Sequence, residues 1–120
     1  MTADPFVILY VEDNDLVRET FAELLTTAER RFVCVGDSAG AREALREQGV
    51  HLLMTDVELP DGSGVDLARE ALRQNPALPV ILCSGYDLGD VARSLGPTAH
   101  PLRKPFMLDE LEALIERLAR

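Results

Sequence analysis

His51-Leu52-Leu53-Met54-Thr55-Asp56-Val57-Glu58-Leu59-Pro60-Asp61-Gly62-Ser63-Gly64 opens as an apolar run and closes on turn residues. A run this short, bounded by turn formers, reads as a buried strand rather than a helix. The strand stops at a carboxylate, Asp56, ahead of a Pro/Gly-rich loop. In an open parallel sheet, ligands bind at the carboxyl ends of the strands. An acid placed there either starts the loop or carries chemistry. What the other strand ends carry distinguishes the two.

Downstream, Ser63 with Asp66 three residues on resembles a capping pair, with Asp in place of the usual Glu. Val65, Leu67, Ala68, Ala71 and Leu72 predict a helix that stops before Asn75-Pro76. Val80-Ile81-Leu82-Cys83 is a fourth strand, ending at Ser84-Gly85. Asp87 to Leu95 has helical spacing but contains Gly89, which predicts a brief, weakly held helix. A fifth strand falls within Thr98 to Arg103, where Pro97 and Pro101 make it an irregular edge. Lys104-Pro105 closes it, and a last helix runs from Leu108 to Leu118. That helix has Asp109 and Glu110 in its first turn and turns Leu111, Leu114, Ile115 and Leu118 to the sheet.

Upstream, Phe6 to Val11 is a first strand ending at Glu12-Asp13. Asp13 or Asn14 caps a helix with Val17, Phe21, Leu24, Leu25 and Ala28 on one face. Phe32 to Val35 is a second strand, broken by Gly36-Asp37-Ser38. A helix follows from about Ala39 to Gln48, with Ala41, Ala44 and Leu45 inward and Gly49 as its C′ residue. Five strands alternating with five helices predict an α/β fold: a single-domain (βα)5, doubly wound parallel sheet over residues 1–120 with right-handed crossovers.

The chain has 120 residues, enough for one domain with one core. No apolar run approaches the ~18 residues of a membrane span, and Met1 to Pro5 lack the pattern of a signal peptide. A soluble, cytoplasmic protein is expected. The formal net charge of −9 argues against nucleic-acid or anionic-membrane partners, which would be repelled.

The strand ends carry Glu12-Asp13, Asp56, Ser84 and Lys104. Carboxylates gathered without compensation repel and raise one another's pKa. A hard divalent cation removes that cost, and Mg²⁺ favours one or two carboxylates with water and phosphate oxygens. Of twelve basic residues, Lys104 is the one that is not Arg. A planar guanidinium cannot imitate a compact ammonium in a tight site, so Lys at this strand end points to a role for its point charge.

With these residues in order, the chain resembles a receiver domain of the two-component response-regulator family, similar to the chemotaxis regulator. The matching residues are Glu12-Asp13, Asp56, Pro60 and Gly64 four and eight positions later, Ser84-Gly85, and Lys104-Pro105. The resemblance covers nearly the whole chain and implies a flavodoxin-like strand order 2-1-3-4-5. It implies that Asp56 is a phosphoacceptor, taking a phosphoryl group from a histidine kinase or histidine phosphotransfer partner. Mg²⁺, or Mn²⁺ in its place, would be held by Asp13, by Asp56, by Glu12 through water and by the backbone carbonyl of Glu58. Ser84 and Lys104 would contact phosphoryl oxygens. The module would catalyse its own phosphorylation and dephosphorylation without being an enzyme otherwise. It would act as a monomer or weak dimer and signal through the helix 4–strand 5–helix 5 region. Its origin is either a stand-alone regulator or the receiver of a hybrid sensor kinase. In that strand order Cys34 and Cys83 are separated by two strands, roughly 14 Å, beyond disulfide reach. Both read as buried small hydrophobes.

Two rival functions stand beside this reading. A small Mg²⁺-dependent phosphohydrolase with an Asp nucleophile would want a second Asp two positions on, where this chain has Glu58. A flavodoxin-like cofactor binder would open its first loop with hydroxyls and glycines, where Glu12 and Asp13 would repel a phosphate.

The chain departs from the family's pattern at Pro101, where a Tyr or Phe often reports phosphorylation by swinging inward; a proline has no such rotamer. Bulk or charge at Glu58 and Tyr86, two residues after Asp56 and Ser84, is expected to affect phosphate lifetime. A short or mobile fourth helix predicts that activation acts through loop order there. Amide exchange across residues 85–97 should change on adding a phosphoryl mimic; a fully protected, unchanged segment would overturn this.

Overall fold

The computed structural model describes residues 4–119. The ends of the expected 1–120 domain, Met1 to Ala3 and Arg120, lie outside the described residues. Strand β1 (Phe6–Val11) is apolar along its whole length and buried from Val7 onward, as a strand covered on both faces must be. It lies between β2 (Arg30–Val35) and β3 (Leu52–Asp56). Beyond β3 come β6 (Val80–Ser84) and β7 (Ala99–Arg103), every pair parallel, in the order β2-β1-β3-β6-β7. A two-stranded ribbon, β4 (Glu58–Leu59) and β5 (Gly62–Ser63), interrupts the count. With it set aside, the order is the expected 2-1-3-4-5.

Alternate residues of each strand feed opposite cores. Leu9, Val11, Leu53, Val80 and Leu82 meet helices α2 (Ser38–Glu47) and α3 (Gly64–Gln74), through Ala41, Ala44, Leu67 and Ala68. Ile8, Tyr10, Met54 and Ile81 meet α1 (Asp15–Leu25) and α5 (Leu108–Leu118), through Leu25, Leu111 and Ile115. Each such aliphatic side chain contributes ~1.5–3 kcal/mol by burial, so the sheet's register is strongly specified.

Four local expectations are corrected. Helix α1 stops at Leu25, and its inward stripe is Val17, Phe21 and Leu25. Leu24 is 58% exposed, and Ala28 falls in the turn that Thr27 and Arg30 close. Gly49 is no left-handed C′ residue: Gln48 ends α2 in extended backbone, and positive φ among the described glycines occurs at Gly62 and Gly96. Cys34 is exposed, because β2 is an edge strand; Cys83 is buried as expected. Ser63 does cap α3 through Val65 N–H, but Asp66 turns instead to Arg69.

The short fourth helix appears as expected, whereas the last strand, though at the edge, is regular and paired along all five residues. Helix α4 (Gly89–Leu95) has seven residues and no side-chain cap. β7 is an edge strand with Pro101 opposite Leu82, a place where a missing N–H is tolerated. His51 is structural: its Nδ1 accepts Val7 N–H at 2.9 Å and its ring stacks on Phe6 at 5.4 Å.

Gly64 is needed for close approach. A Cβ there would lie 1.9 Å from the Asp56 carbonyl oxygen and 3.0 Å from Thr55 Oγ1. Its N–H also donates to Val57 O at 2.7 Å, so α3 starts directly beneath the Asp56 peptide. A Cβ at Gly49 would meet nothing. Gly64→Ala should destabilise by at least ~1–3 kcal/mol through overpacking, while Gly49→Ala should be neutral or stabilise by up to ~1 kcal/mol. Urea unfolding of the two variants checks this.

Candidate functional site

The carboxyl ends of β1, β3, β6 and β7 deliver side chains to the same place. β1 ends when Glu12 N–H donates to Val35 O at 3.1 Å. Asn14 then caps α1, its Oδ1 accepting Val17 N–H at 3.0 Å, while its own N–H donates to Glu12 Oε2 at 3.2 Å. Asp56 is the last residue of β3, with Thr55 Oγ1 donating to its carbonyl at 2.8 Å. Ser84 ends β6, its Oγ accepting Tyr86 N–H at 3.1 Å. Lys104 N–H donates to Ser84 O at 2.8 Å, bringing the lysine alongside.

Glu12, Asp13, Asp56, Glu58, Ser84 and Lys104 thus line one cleft of about 960 Å³. These are the six residues named above as metal or phosphoryl contacts, and they lie together. Glu12, Asp13 and Asp56 each place a carboxylate oxygen within 4.8 Å of the others. Lys104 Nζ stands 2.8 Å from Asp56 Oδ1 and 3.4 Å from Glu12 Oε1. Glu12 and Asp56 are buried, at 3% and 6% exposure, while Asp13 is exposed.

Lys104 is close to Asp56 Oδ1 but not aligned for a hydrogen bond, so that oxygen is buried beside a charge without a directed donor. Burial, and then hydrogen bonding to Glu12, push the Asp56 carboxyl up to about 7, against the pull of Lys104. Burial also raises Glu12, but hydrogen bonds from Asp56 and from Asn14 N–H, with the Lys104 charge, outweigh it and hold Glu12 below the ordinary range. Of the two carboxyls, Glu12 is thus favoured as the charged one, and ionisation of Asp56 is opposed. The Lys104 ammonium loses hydration, yet its contacts with Asp56 and Glu12 raise its pKa.

This donor set fits a hard divalent cation. It offers only carboxylate oxygens, and one buried oxygen awaits a directed partner. Sequence reasoning missed the walls of the cleft. Tyr10, Phe21, Cys83 and Phe106 line it, with Phe21 and Phe106 rings 5.4 Å apart. Apolar spacing assigned the first three to the core, as did their burial, and it carries no sign of a cleft. It also missed Arg18, one Arg among eleven, whose Nη1 donates to Glu12 O at 2.6 Å and steadies the acidic loop.

Residues 8–116 match the family model of the response regulator receiver domain. The chain belongs to that family. The response regulator receiver protein CpdR of Brucella abortus is 32% identical over 117 residues, spanning 92% of this chain and 94% of CpdR. The probable transcriptional regulatory protein TcrX of Mycobacterium tuberculosis is 31% identical over 119 residues, spanning 97% of this chain and 50% of TcrX. The chain thus covers only half of the latter's length. A response regulator receiver protein from Pseudomonas putida superposes with a TM-score of 0.83 at 28% identity, covering 98% of this chain and 99% of that one.

The chain is accordingly a receiver domain of two-component signalling, with the phosphoacceptor role of that family. Receiver domains bind Mg²⁺ at an acidic pocket and interact with histidine kinases or phosphotransfer proteins. Among the described residues, no helix is long and apolar enough to cross a membrane.

The raised Asp56 pKa has a consequence for stability. The folded chain holds this proton more tightly than the unfolded chain, so its contribution is present below about pH 4 and is lost as pH rises to about 7. In EDTA, Asp56→Asn should therefore be more stable than wild type by ~1–3 kcal/mol at pH 8, with the gap narrowing at pH 5. Urea unfolding at the two pH values checks this; a gap independent of pH would contradict the assignment.

Proposed function

We propose that Asp56 accepts the phosphoryl group. The observation that carries this is the Lys104 ammonium 2.8 Å from Asp56 Oδ1, with Glu12 and Asp13 oxygens gathered within 4.8 Å. An Asp56 carboxylate oxygen attacks the phosphorus of a phosphohistidine on a histidine kinase or phosphotransfer partner. The O–P bond forms as the N–P bond breaks, and the departing imidazole nitrogen regains a proton from solvent. Bound Mg²⁺, or Mn²⁺, neutralises charge on the transferring group and on the acids around it. Asp13, Asp56, Glu12 through water and the Glu58 carbonyl are the donors that would hold it. Lys104 balances one phosphoryl oxygen, and the Ser84 hydroxyl donates to another once it turns from Tyr86 N–H. The protein's share is positioning and charge balance, with no covalent work beyond the nucleophile.

The same cleft serves hydrolysis of the acyl phosphate, with Glu58 and Tyr86 at its mouth governing how water enters. Output passes through α4, β7 and α5. Pro101 is exposed there and carries no aromatic ring, so loop order, rather than an aromatic rotamer, transmits the change. The domain acts as a monomer or weak dimer.

Intact-mass measurement after acetyl phosphate and Mg²⁺ tests the assignment. Wild type should gain one phosphoryl group and Asp56→Asn none. Phosphorylation of Asp56→Asn, or none of wild type, would overturn it.

A further inference from the structure

The loop that follows Asp56 is held at three points. At its base, Gly64 N–H donates to Val57 O at 2.7 Å. In its middle, Glu58 pairs with Ser63 and Leu59 with Gly62, and Leu59 is buried against the α2–α3 side of the sheet. At its tip, Asp61 reaches across to α2. Its Oδ1 accepts Ser38 N–H at 2.8 Å and its Oδ2 accepts Ala39 N–H at 3.0 Å.

Those N–H groups belong to the first turn of α2, where the helix supplies no partner of its own. The helix already has a local cap, since Asp37 Oδ1 accepts Gly40 N–H at 2.7 Å. Exposed first-turn N–H groups can be satisfied by water. A second carboxylate, arriving from more than twenty residues away and using both oxygens, does something a cap does not: it fixes the position and orientation of the loop it comes from. Gly62 permits the arrangement, with φ +151 and the site of its missing Cβ 4.0 Å from Ser38 Oγ. The same hydrogen bonds hold the Asp61 carboxyl below its ordinary range. Through the ribbon, the grip extends to Glu58 and Pro60, which line the acidic cleft.

We infer that Asp61 is a positioning residue for the phosphoacceptor cleft, mooring the β4–β5 ribbon to the start of α2 so that the Glu58 main chain stays at the cleft. The inference rests on reading that cleft as a Mg²⁺-dependent phosphoacceptor site, in which Glu58 contributes its carbonyl. It assigns a role to a side chain that makes no contact with the acidic cluster.

The test pairs Asp61→Ala with Asp37→Ala in the full chain. Each removes one carboxylate from the same helix start, so both should lower Tm by similar amounts. Mg²⁺ binding to the unphosphorylated protein, followed by calorimetric titration, separates them. Asp61→Ala should weaken Mg²⁺ binding roughly tenfold, as removing an outer partner of a metal donor does, and should speed amide exchange within residues 57–63. Asp37→Ala should leave both unchanged, and Asp61→Asn, which keeps one acceptor oxygen, should fall between. Equal Mg²⁺ affinity in Asp61→Ala and Asp37→Ala would overturn the inference while leaving the phosphoacceptor reading intact. Failure of wild type to bind Mg²⁺ and to gain a phosphoryl group would remove that reading, and this one with it.

Discussion

Glu12 and Asp56 end adjacent parallel strands, and backbone hydrogen bonding sets adjacent strands only about 4.8 Å apart. The sheet therefore forces two buried carboxyl groups into one another's field. The burden falls on Asp56, whose carboxyl is pushed up to about 7, while Lys104 stands against both acids. The lysine is an incomplete remedy, because Asp56 Oδ1 still lacks an aligned donor. On the function proposed above, a cation would bring charge for the acids, and a phosphoryl group would bring oxygens for the ammonium and the Ser84 hydroxyl.

The surroundings keep the chemistry on one residue. Cys83 is the register partner of Asp56, yet burial and then the Asp56 charge push its thiol well above the ordinary range. Burial and then Cys83 do the same to the Tyr10 phenol. Both stay protonated at neutral pH, so neither competes as a nucleophile. The apolar strands that hold the acids in place are also what depress ionisation of these two neighbours.

The loops at the strand ends are held by polar contacts together with the buried Leu59. Arg18 grips the Glu12 carbonyl, Gly64 passes beneath the Asp56 peptide, and Asp61 fastens the ribbon to α2. A metal site built on loops needs such fastening, since loop backbone has no ladder to fix it. By contrast the segment from Ser84 to Lys104, with a seven-residue α4 lacking a side-chain cap and an edge strand carrying Pro101, is lightly held.

The alternation of short apolar runs with helical spacing determined the α/β class, the five core strands and the residues at their ends. Those features depend on local pattern and on the strand-end rule, and both are written in adjacent residues. Leu24, Cys34 and Gly49 were misread because exposure and cap geometry depend on which element lies opposite, and a parallel sheet chooses that through long crossovers. The gathering of Glu12, Asp56 and Lys104, ninety-two residues from first to last, was inferable from the strand-end rule, and their roles only from a resemblance. Their distances, the coupling of the two carboxyls and the reach of Asp61 to Ser38 belong to tertiary structure, because hydrogen bonds and charge coupling act through space and leave no periodic trace along the chain.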